Sequence, residues 1–191
     1  MNRLEAEGLI RLVPRRGAYV ISPDFFDIEE IYEMREVPEA GVIRNVHLDD
    51  RILSRLRAAV DCAEKYIREK DKLNYIREDA SFYTILFQAS ANSRMRKALE
   101  NMQNQMIILR HRTFELSSQN SVRQHRGILN ALQREDREAA ERLMVEHIRY
   151  VRERLLTYLT TQTPVVETGI RTAGEVAGQV TSPPSSSSFR R

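Results

Sequence analysis

QHRGILNALQREDREAAERLMVEHI, which occupies residues 124–148, is the stretch that decides the fold class of this 191-residue chain. Apolar residues recur at helical spacing on both sides of a short polar connection, Glu135 and Asp136, so each side is predicted to be an amphipathic helix. A link this short between two long helices implies that they pack as antiparallel neighbours. The stretch therefore predicts an antiparallel helical bundle.

The same periodicity continues outward from this stretch, with few glycines and no convincing strand after Pro23. It predicts an all-α fold of about six helices, with Pro38 expected to kink the first of them. A polar turn, Ser117–Asn120, is expected to separate the fourth helix from the fifth. The predicted helices cover about residues 27–46, 49–70, 73–91, 93–116, 121–133 and 137–159.

The N-terminal residues have a different pattern. Ile10–Val13 and Ala18–Ile21 carry apolar, β-favouring side chains and are predicted to be two short strands. Pro14–Gly17 between them is predicted to be a turn that points Arg15 and Arg16 into solvent. These residues are therefore expected to form a β-hairpin ahead of the bundle.

Composition narrows the class of protein. Hydrophobic residues make up 41% and charged residues 30%, and the net charge of +3 is too mild to indicate nucleic-acid binding by itself. No apolar run approaches the roughly 20 residues that span a bilayer, and the single cysteine, Cys62, excludes an internal disulfide. A cytoplasmic protein is therefore expected. The Ser- and Pro-rich residues 161–191 are predicted to be a disordered, low-complexity tail.

Three polar residues fall on apolar helix faces. Asp79, His125 and His147 each lie on the predicted inner face of a different helix. A buried carboxylate needs a partner, because desolvation disfavours its charged form. Two imidazoles and one carboxylate are a familiar ligand set for a divalent transition metal. Each histidine taken alone is more simply a core residue with a satisfied hydrogen bond, so both interpretations stay open.

Two segments near the N-terminus resemble a known family. RLEAEGLI at residues 3–10 and PRRGAYV at residues 14–20 resemble the end of the winged helix-turn-helix of GntR-family transcriptional regulators. The resemblance implies that Arg15, Arg16 and Gly17 belong to a DNA-contacting wing. Because most of the recognition helix would precede this stretch, the chain is expected to be truncated and impaired in DNA recognition without a full-length partner.

Three later segments resemble the FCD effector domain that follows the winged helix in one branch of that family. They are DIEEIYEMREVPEA at 27–40, DASFYTILFQASAN at 79–92, and the stretch at 124–148. The resemblance implies a regulator, not an enzyme, that forms a homodimer and changes conformation when a small organic acid binds. It divides the chain into a winged-helix remnant (1–22), an FCD-like ligand-binding and dimerisation domain (23–160) and a tail (161–191).

The resemblance also implies a metal site. In that branch an aspartate and three histidines bind a divalent ion that helps to hold the effector, and Asp79, His125 and His147 match three of these four ligands. Tyr83 occupies the fourth position, and a phenol with a pKa near 10 is a weaker ligand than imidazole. Zinc, nickel or manganese is therefore expected with reduced affinity, while Tyr83 can donate a hydrogen bond to an effector. Arg35 matches an arginine that can hold a carboxylate.

Two alternatives remain open at the level of sequence. A site with two histidines and one carboxylate is also the arrangement of non-haem iron oxygenases, although no separate general base is evident. A metal-free helical dimerisation module, in which Tyr83 hydrogen-bonds Asp79, is the other. His111, between Arg110 and Arg112, is assigned to a solvated basic cluster.

Overall fold

The computed structural model describes residues 10–21 and 23–162, and within them the predicted helical bundle preceded by a hairpin is confirmed. Two strands and five helices make up this part of the chain. In chain order they are β1 (Ile10–Val13), β2 (Gly17–Val20), α1 (Phe25–Asn45), α2 (Asp50–Arg68), α3 (Lys72–Gln88), α4 (Ser93–Gln133) and α5 (Arg137–Gln162). The predicted helix end at residues 3–9 and residues 163–191 of the predicted tail lie outside the described residues. Thr161 and Gln162, which were predicted to begin the tail, belong to α5.

The hairpin is antiparallel, with Ile10 opposite Val20 and Val13 opposite Gly17. Its turn places Arg15 at a φ of +63° and Gly17 at +96°, and a glycine accepts this left-handed conformation at little cost. The Arg16 amide donates to the Val13 carbonyl oxygen at 3.0 Å, which closes the turn. β2 begins one residue earlier than predicted.

Short polar side chains fix where the helices begin. Asp24 and Asp27 form a reciprocal capping box at the start of α1, each accepting a hydrogen bond from the backbone of the other. Asp49 and Asp71 accept from backbone amides at the starts of α2 and α3, and Asn92 does the same for α4. α1 continues through Pro38 as a single helix.

The main difference from the prediction lies in α4, which runs unbroken over 41 residues where two helices were predicted. The polar segment Ser117–Asn120 is helical because its serines pack inward. The Ser117 hydroxyl donates to the Thr113 carbonyl oxygen at 3.2 Å, one turn earlier in the helix. Ser117 and Ser118 are both buried, so the polar side chains of this segment lie inside the bundle. The hydrogen bond of Ser117 to its own helix therefore does not end the helix.

One hydrophobic core joins all five helices, with Ile28, Leu56, Leu86, Leu109 and Leu155 completely buried. α5 packs against α1 and α4, and α2 packs against α3. Among the helices of the described residues, none has the length and apolar character needed to cross a membrane.

Candidate functional site

The structure brings together all five of the bundle residues that the sequence singled out. Asp79 and Tyr83 lie one turn apart on α3, so their side chains share a face. His125 comes from α4, His147 from α5 and Arg35 from α1, and all five side chains are buried. The site is therefore assembled from four helices.

Asp79 is held by a residue that the sequence analysis assigned to a solvated cluster. Arg110 is only 4% exposed, and its Nε donates to Asp79 Oδ2 at 2.6 Å. A charge-assisted bond of this length between buried groups is strong. The assignment of Arg110 to the surface was wrong, because the residue lies on the inward face of α4 with Met106 and Thr113. Only His111 of that cluster is exposed.

The other oxygen of Asp79 has weaker neighbours. The Tyr75 hydroxyl donates to Asp79 Oδ1 at 3.4 Å, while His125 Nδ1 lies 3.8 Å from the same oxygen, beyond hydrogen-bond distance. Arg110 also reaches Gln103, since its Nη2 donates to Gln103 Oε1 at 2.6 Å. Asp79 is thus neutralised chiefly by Arg110.

Tyr83 links the two histidines. Its hydroxyl oxygen lies 2.7 Å from His147 Nε2 and 3.2 Å from His125 Nε2. His147 Nδ1 lies 2.9 Å from the side-chain oxygen of Gln124, which can only accept a hydrogen bond, so Nδ1 must carry the proton. His147 Nε2 is then the acceptor of the Tyr83 hydroxyl proton, and the phenol oxygen can accept from His125 Nε2–H.

Burial keeps this chain of hydrogen bonds uncharged. Desolvation lowers the pKa of His125 to about 4, although the nearby Asp79 acts in the opposite direction. Burial also lowers the pKa of His147 well below its ordinary value, and the neighbouring His125 adds to this effect. Burial raises the pKa of the Tyr83 hydroxyl. Both imidazoles and the phenol are therefore neutral at pH 7.

Arg35 is paired within its own helix. Its Nε donates to Glu39 Oε1 at 2.7 Å, and neither side chain is more than 2% exposed. The guanidinium also lies 4.9 Å from the ring centre of Tyr32 and 5.3 Å from that of Tyr83, within cation–π range. Its partner Glu39 escaped the sequence analysis, although it stands one helical turn from Arg35.

A small central cavity lies beside these groups, with a volume of about 20 Å³ that can hold a water molecule. Two buried polar atoms on residues that line this cavity have no hydrogen-bond partner among the described residues: the hydroxyl of Tyr32 and Nη1 of Arg110. Burying a polar group without a partner costs about 1–3 kcal/mol, so both favour a bound acceptor. The lining includes Tyr32, Arg35, Asp79, Tyr83, Arg110 and His147.

The arrangement does not fit the divalent metal that the resemblance implies. Asp79 already binds a guanidinium, and the Tyr83 hydroxyl lies between the two imidazole nitrogens that would face the ion. Across residues 10–21 and 23–162, no three His, Cys, Asp or Glu side chains are placed to hold a metal. The alternative bond from Tyr83 to Asp79 is also absent from the hydrogen bonds of these groups, since Tyr83 bonds the histidines.

The contacts of Asp79 require α4 to bend. Arg110 and His125 would lie about 22 Å apart along a straight helix, yet both reach the same carboxylate. Side-chain lengths and these two contacts allow at most about 17 Å between their Cα atoms. Thr113 and Ser117 donate their hydroxyls to carbonyls of the preceding turn, an arrangement that bends helices. The predicted turn is therefore replaced by a bend within one helix.

The predicted wing residues lie far along the chain from this cluster. Arg15 and Arg16 are exposed in the hairpin turn, as predicted, and Gly17 begins β2. Their contact with DNA stays a prediction.

Comparison with known proteins identifies relatives of the bundle. A family described as the FCD domain matches residues 30–150. The chain is 26% identical over 155 residues to the HTH-type transcriptional regulator YdhC of Bacillus subtilis, covering 78% of this chain and 69% of the relative. It is 25% identical over 155 residues to the HTH-type transcriptional repressor RspR of Escherichia coli, covering 79% and 68%.

Solved structures share the fold. A transcriptional regulator named GntR from Rhodococcus sp. RHA1 superimposes with a TM-score of 0.71 at 22% identity, covering 82% of this chain and 76% of that one. McbR/YncC of E. coli gives a TM-score of 0.69 at 17% identity, covering 82% and 81%. The two sequence relatives are named as a transcriptional regulator and a transcriptional repressor, and neither is named as an enzyme.

Proposed function

This chain belongs to the FCD domain family of GntR-type transcriptional regulators, and from that premise we propose that its bundle senses a small carboxylate in the central cavity. The observation that carries the proposal is the pair of buried donors without partners, the Tyr32 hydroxyl and Arg110 Nη1, both on residues that line the cavity. A carboxylate supplies two acceptor oxygens, which is what these two donors need.

Charge favours a small anion over a neutral ligand. Arg35 and Arg110 are both buried at the cavity, and each is paired with only one carboxylate, Glu39 or Asp79. A guanidinium has five N–H donors, so each arginine can bind an anion without leaving its present partner. Arg35, which the family resemblance implied as an effector-binding residue, keeps that role in the proposal. Arg110 is proposed as a second effector-binding residue.

Binding in a cavity of about 20 Å³ must change the bundle. An acid of several carbon atoms is larger than one water molecule, so it fits only where the helices around the cavity move apart. The ligand would therefore favour one arrangement of α1, α3, α4 and α5 over another. In a regulator this shift in population is the signal passed to the DNA-binding part.

The test is a thermal-shift titration with acetate, malonate, succinate and citrate, each compared with its neutral amide. A carboxylate at 100 times its Kd stabilises the folded state by about 2.7 kcal/mol. Tyr32→Phe removes one unpaired donor and should weaken binding about tenfold, the equivalent of about 1.4 kcal/mol. Tyr19→Phe, on the exposed hairpin, is the matched control and should leave binding unchanged.

The proposal fails if no carboxylate raises the melting temperature more than its amide, or if Tyr32→Phe and Tyr19→Phe bind equally well.

Two partner assignments belong to the same proposal: assembly as a homodimer and contact of the wing with DNA. Sedimentation equilibrium measures the first, and the salt dependence of DNA binding by Arg16→Ala measures the second.

A further inference from the structure

We propose that this site works without a metal, with Arg110 supplying the positive charge and Tyr83 linking the two histidines in place of the ion. The inference concerns the same residues as the proposed effector site and rests on that function only for its consequence, which is that the guanidinium groups and the Tyr32 hydroxyl bind the effector without an ion. Metal content and effector binding are measured separately, so either can fail without the other.

The carboxylate of Asp79 is already bound by a cation of the protein. Asp79 Oδ2 lies 2.6 Å from Arg110 Nε in a pair that is at most 9% exposed, so Oδ1 is the oxygen left for an ion. Losing this partner would leave a buried guanidinium uncompensated, which is strongly unfavourable. Metal binding at Asp79 would therefore be confined to Oδ1, which already has the Tyr75 hydroxyl at 3.4 Å, and it would place the ion beside the Arg110 guanidinium.

The imidazoles of His125 and His147 already have partners within the protein. His147 uses both of its nitrogens, Nδ1 towards Gln124 and Nε2 towards the Tyr83 hydroxyl. His125 Nε2 points at the same hydroxyl, and the ring stacks on Phe82 with centres 4.3 Å apart and planes 11° from parallel. The rings are held in place by these contacts, which is the role that a shared metal would otherwise have.

The charges around the Tyr83 ring are already balanced within the protein. The guanidinium carbons of Arg35 and Arg110 each lie 5.3 Å from the ring centre of Tyr83. Arg35 is paired with Glu39 and Arg110 with Asp79, so the site has no net negative charge to offset the cost of burying a divalent ion. Electrostatics therefore does not favour an ion at the position where the histidines converge.

The first experiment measures zinc, nickel and manganese in the purified, untagged chain after it has been equilibrated with each ion and dialysed without chelator. We expect less than about 0.1 ion per chain and a melting temperature that EDTA does not change, as a metal-free site requires. An ion content near one per chain that is lost in Asp79→Asn would overturn the inference.

The second experiment tests the tyrosine link directly. In EDTA-treated protein, long-range ¹H–¹⁵N spectra should show His147 protonated at Nδ1 and His125 at Nε2, the tautomers that the hydrogen bonds require. Tyr83→Phe should lower the population of both tautomers, and it should lower the melting temperature by about 2–4 °C. Tyr32→Phe is the matched control, because it removes a buried hydroxyl that has no partner and should not lower it.

Opposite tautomers, or an equal loss of stability in Tyr83→Phe and Tyr32→Phe, would contradict the link. The double change Tyr83→His with Arg110→Met removes both obstacles and supplies a third imidazole. Gain of one zinc ion per chain by this variant, while the parent gains none, would identify these two residues as the reason that the parent excludes the ion.

Discussion

Removing the charge of Glu39 should expose the cost of burying Arg35. Glu39→Gln keeps the size of the side chain and one oxygen that can accept from Arg35, but it leaves the guanidinium without a counter-ion. Breaking a buried ion pair at one partner costs about 3–5 kcal/mol. The remaining oxygen and the cation–π contacts with Tyr32 and Tyr83 place this case near the lower end, about 3 kcal/mol.

The chain offers a matched control three residues away on the same helix. Glu36 pairs with Arg149 of α5, and the two side chains are 25% and 65% exposed. An exposed pair of this kind contributes about 0–1 kcal/mol. Glu36→Gln therefore makes the same chemical change in α1 with a much smaller expected loss.

Urea denaturation followed by circular dichroism at 222 nm measures both variants, with the slopes compared to verify that the same surface is exposed on unfolding. A loss of 3 kcal/mol corresponds to a fall of roughly 6–12 °C in melting temperature for a domain of this size. Arg35→Met combined with Glu39→Met should recover most of it, because an apolar pair has no charge to desolvate. Losses below 1 kcal/mol for both Glu39→Gln and Glu36→Gln would refute the reasoning.

Three further changes test other parts of the fold. Asp24→Ala removes one half of the capping box of α1 and should cost about 1 kcal/mol in chemical denaturation. Gly127→Ala should stabilise the chain by about 0.5–1 kcal/mol, because the added methyl group would meet only Leu143 Cδ1 at an ordinary 3.7 Å; a loss of stability would show that the helices are closer than described. Leu109→Ala should cost about 2–5 kcal/mol by calorimetry, whereas Ile107→Ala, 44% exposed on the same helix, should change stability by less than about 1 kcal/mol.

Periodicity predicted the class of fold because each helix has to bury one face. The hairpin followed from β-favouring residues around Pro14–Gly17, and the inward positions of Asp79, His125 and His147 followed from their place among apolar residues. These features are local, so the sequence contains them directly.

The contacts within the site could not be predicted in this way, because they depend on which helices pack against each other. Arg110 follows a run of apolar residues and precedes His111 and Arg112, so its charge suggested a surface position. The signal for an inward position was the helical spacing that places Arg110 on the same face as Met106 and Thr113. Nothing local indicates that Asp79 is its partner, since that pairing joins residues 31 positions apart.

Ser117–Asn120 shows why a polar segment is ambiguous. Serine and asparagine favour turns when their side chains bond to the backbone outside a helix, but the same groups can bond to carbonyls one turn earlier within it. Tertiary packing decides between the two, and here it buries Ser117 and Ser118 inside α4.

The bend in α4 leaves a long N-terminal arm, so a small rotation at the bend would move the far end of the helix by a much larger distance. From Ser117 to the start of the helix at Ser93 the arm is about 36 Å long, so a change of about five degrees at the bend would move its tip by about 3 Å. That tip carries Met95, which lies against Gly41 of α1 so closely that a methyl group there would stand 3.0 Å from Met95 Cε. A sub-ångström displacement where Arg110 and His125 meet Asp79 would therefore become a larger displacement at the far end of the helix, where Met95 approaches α1.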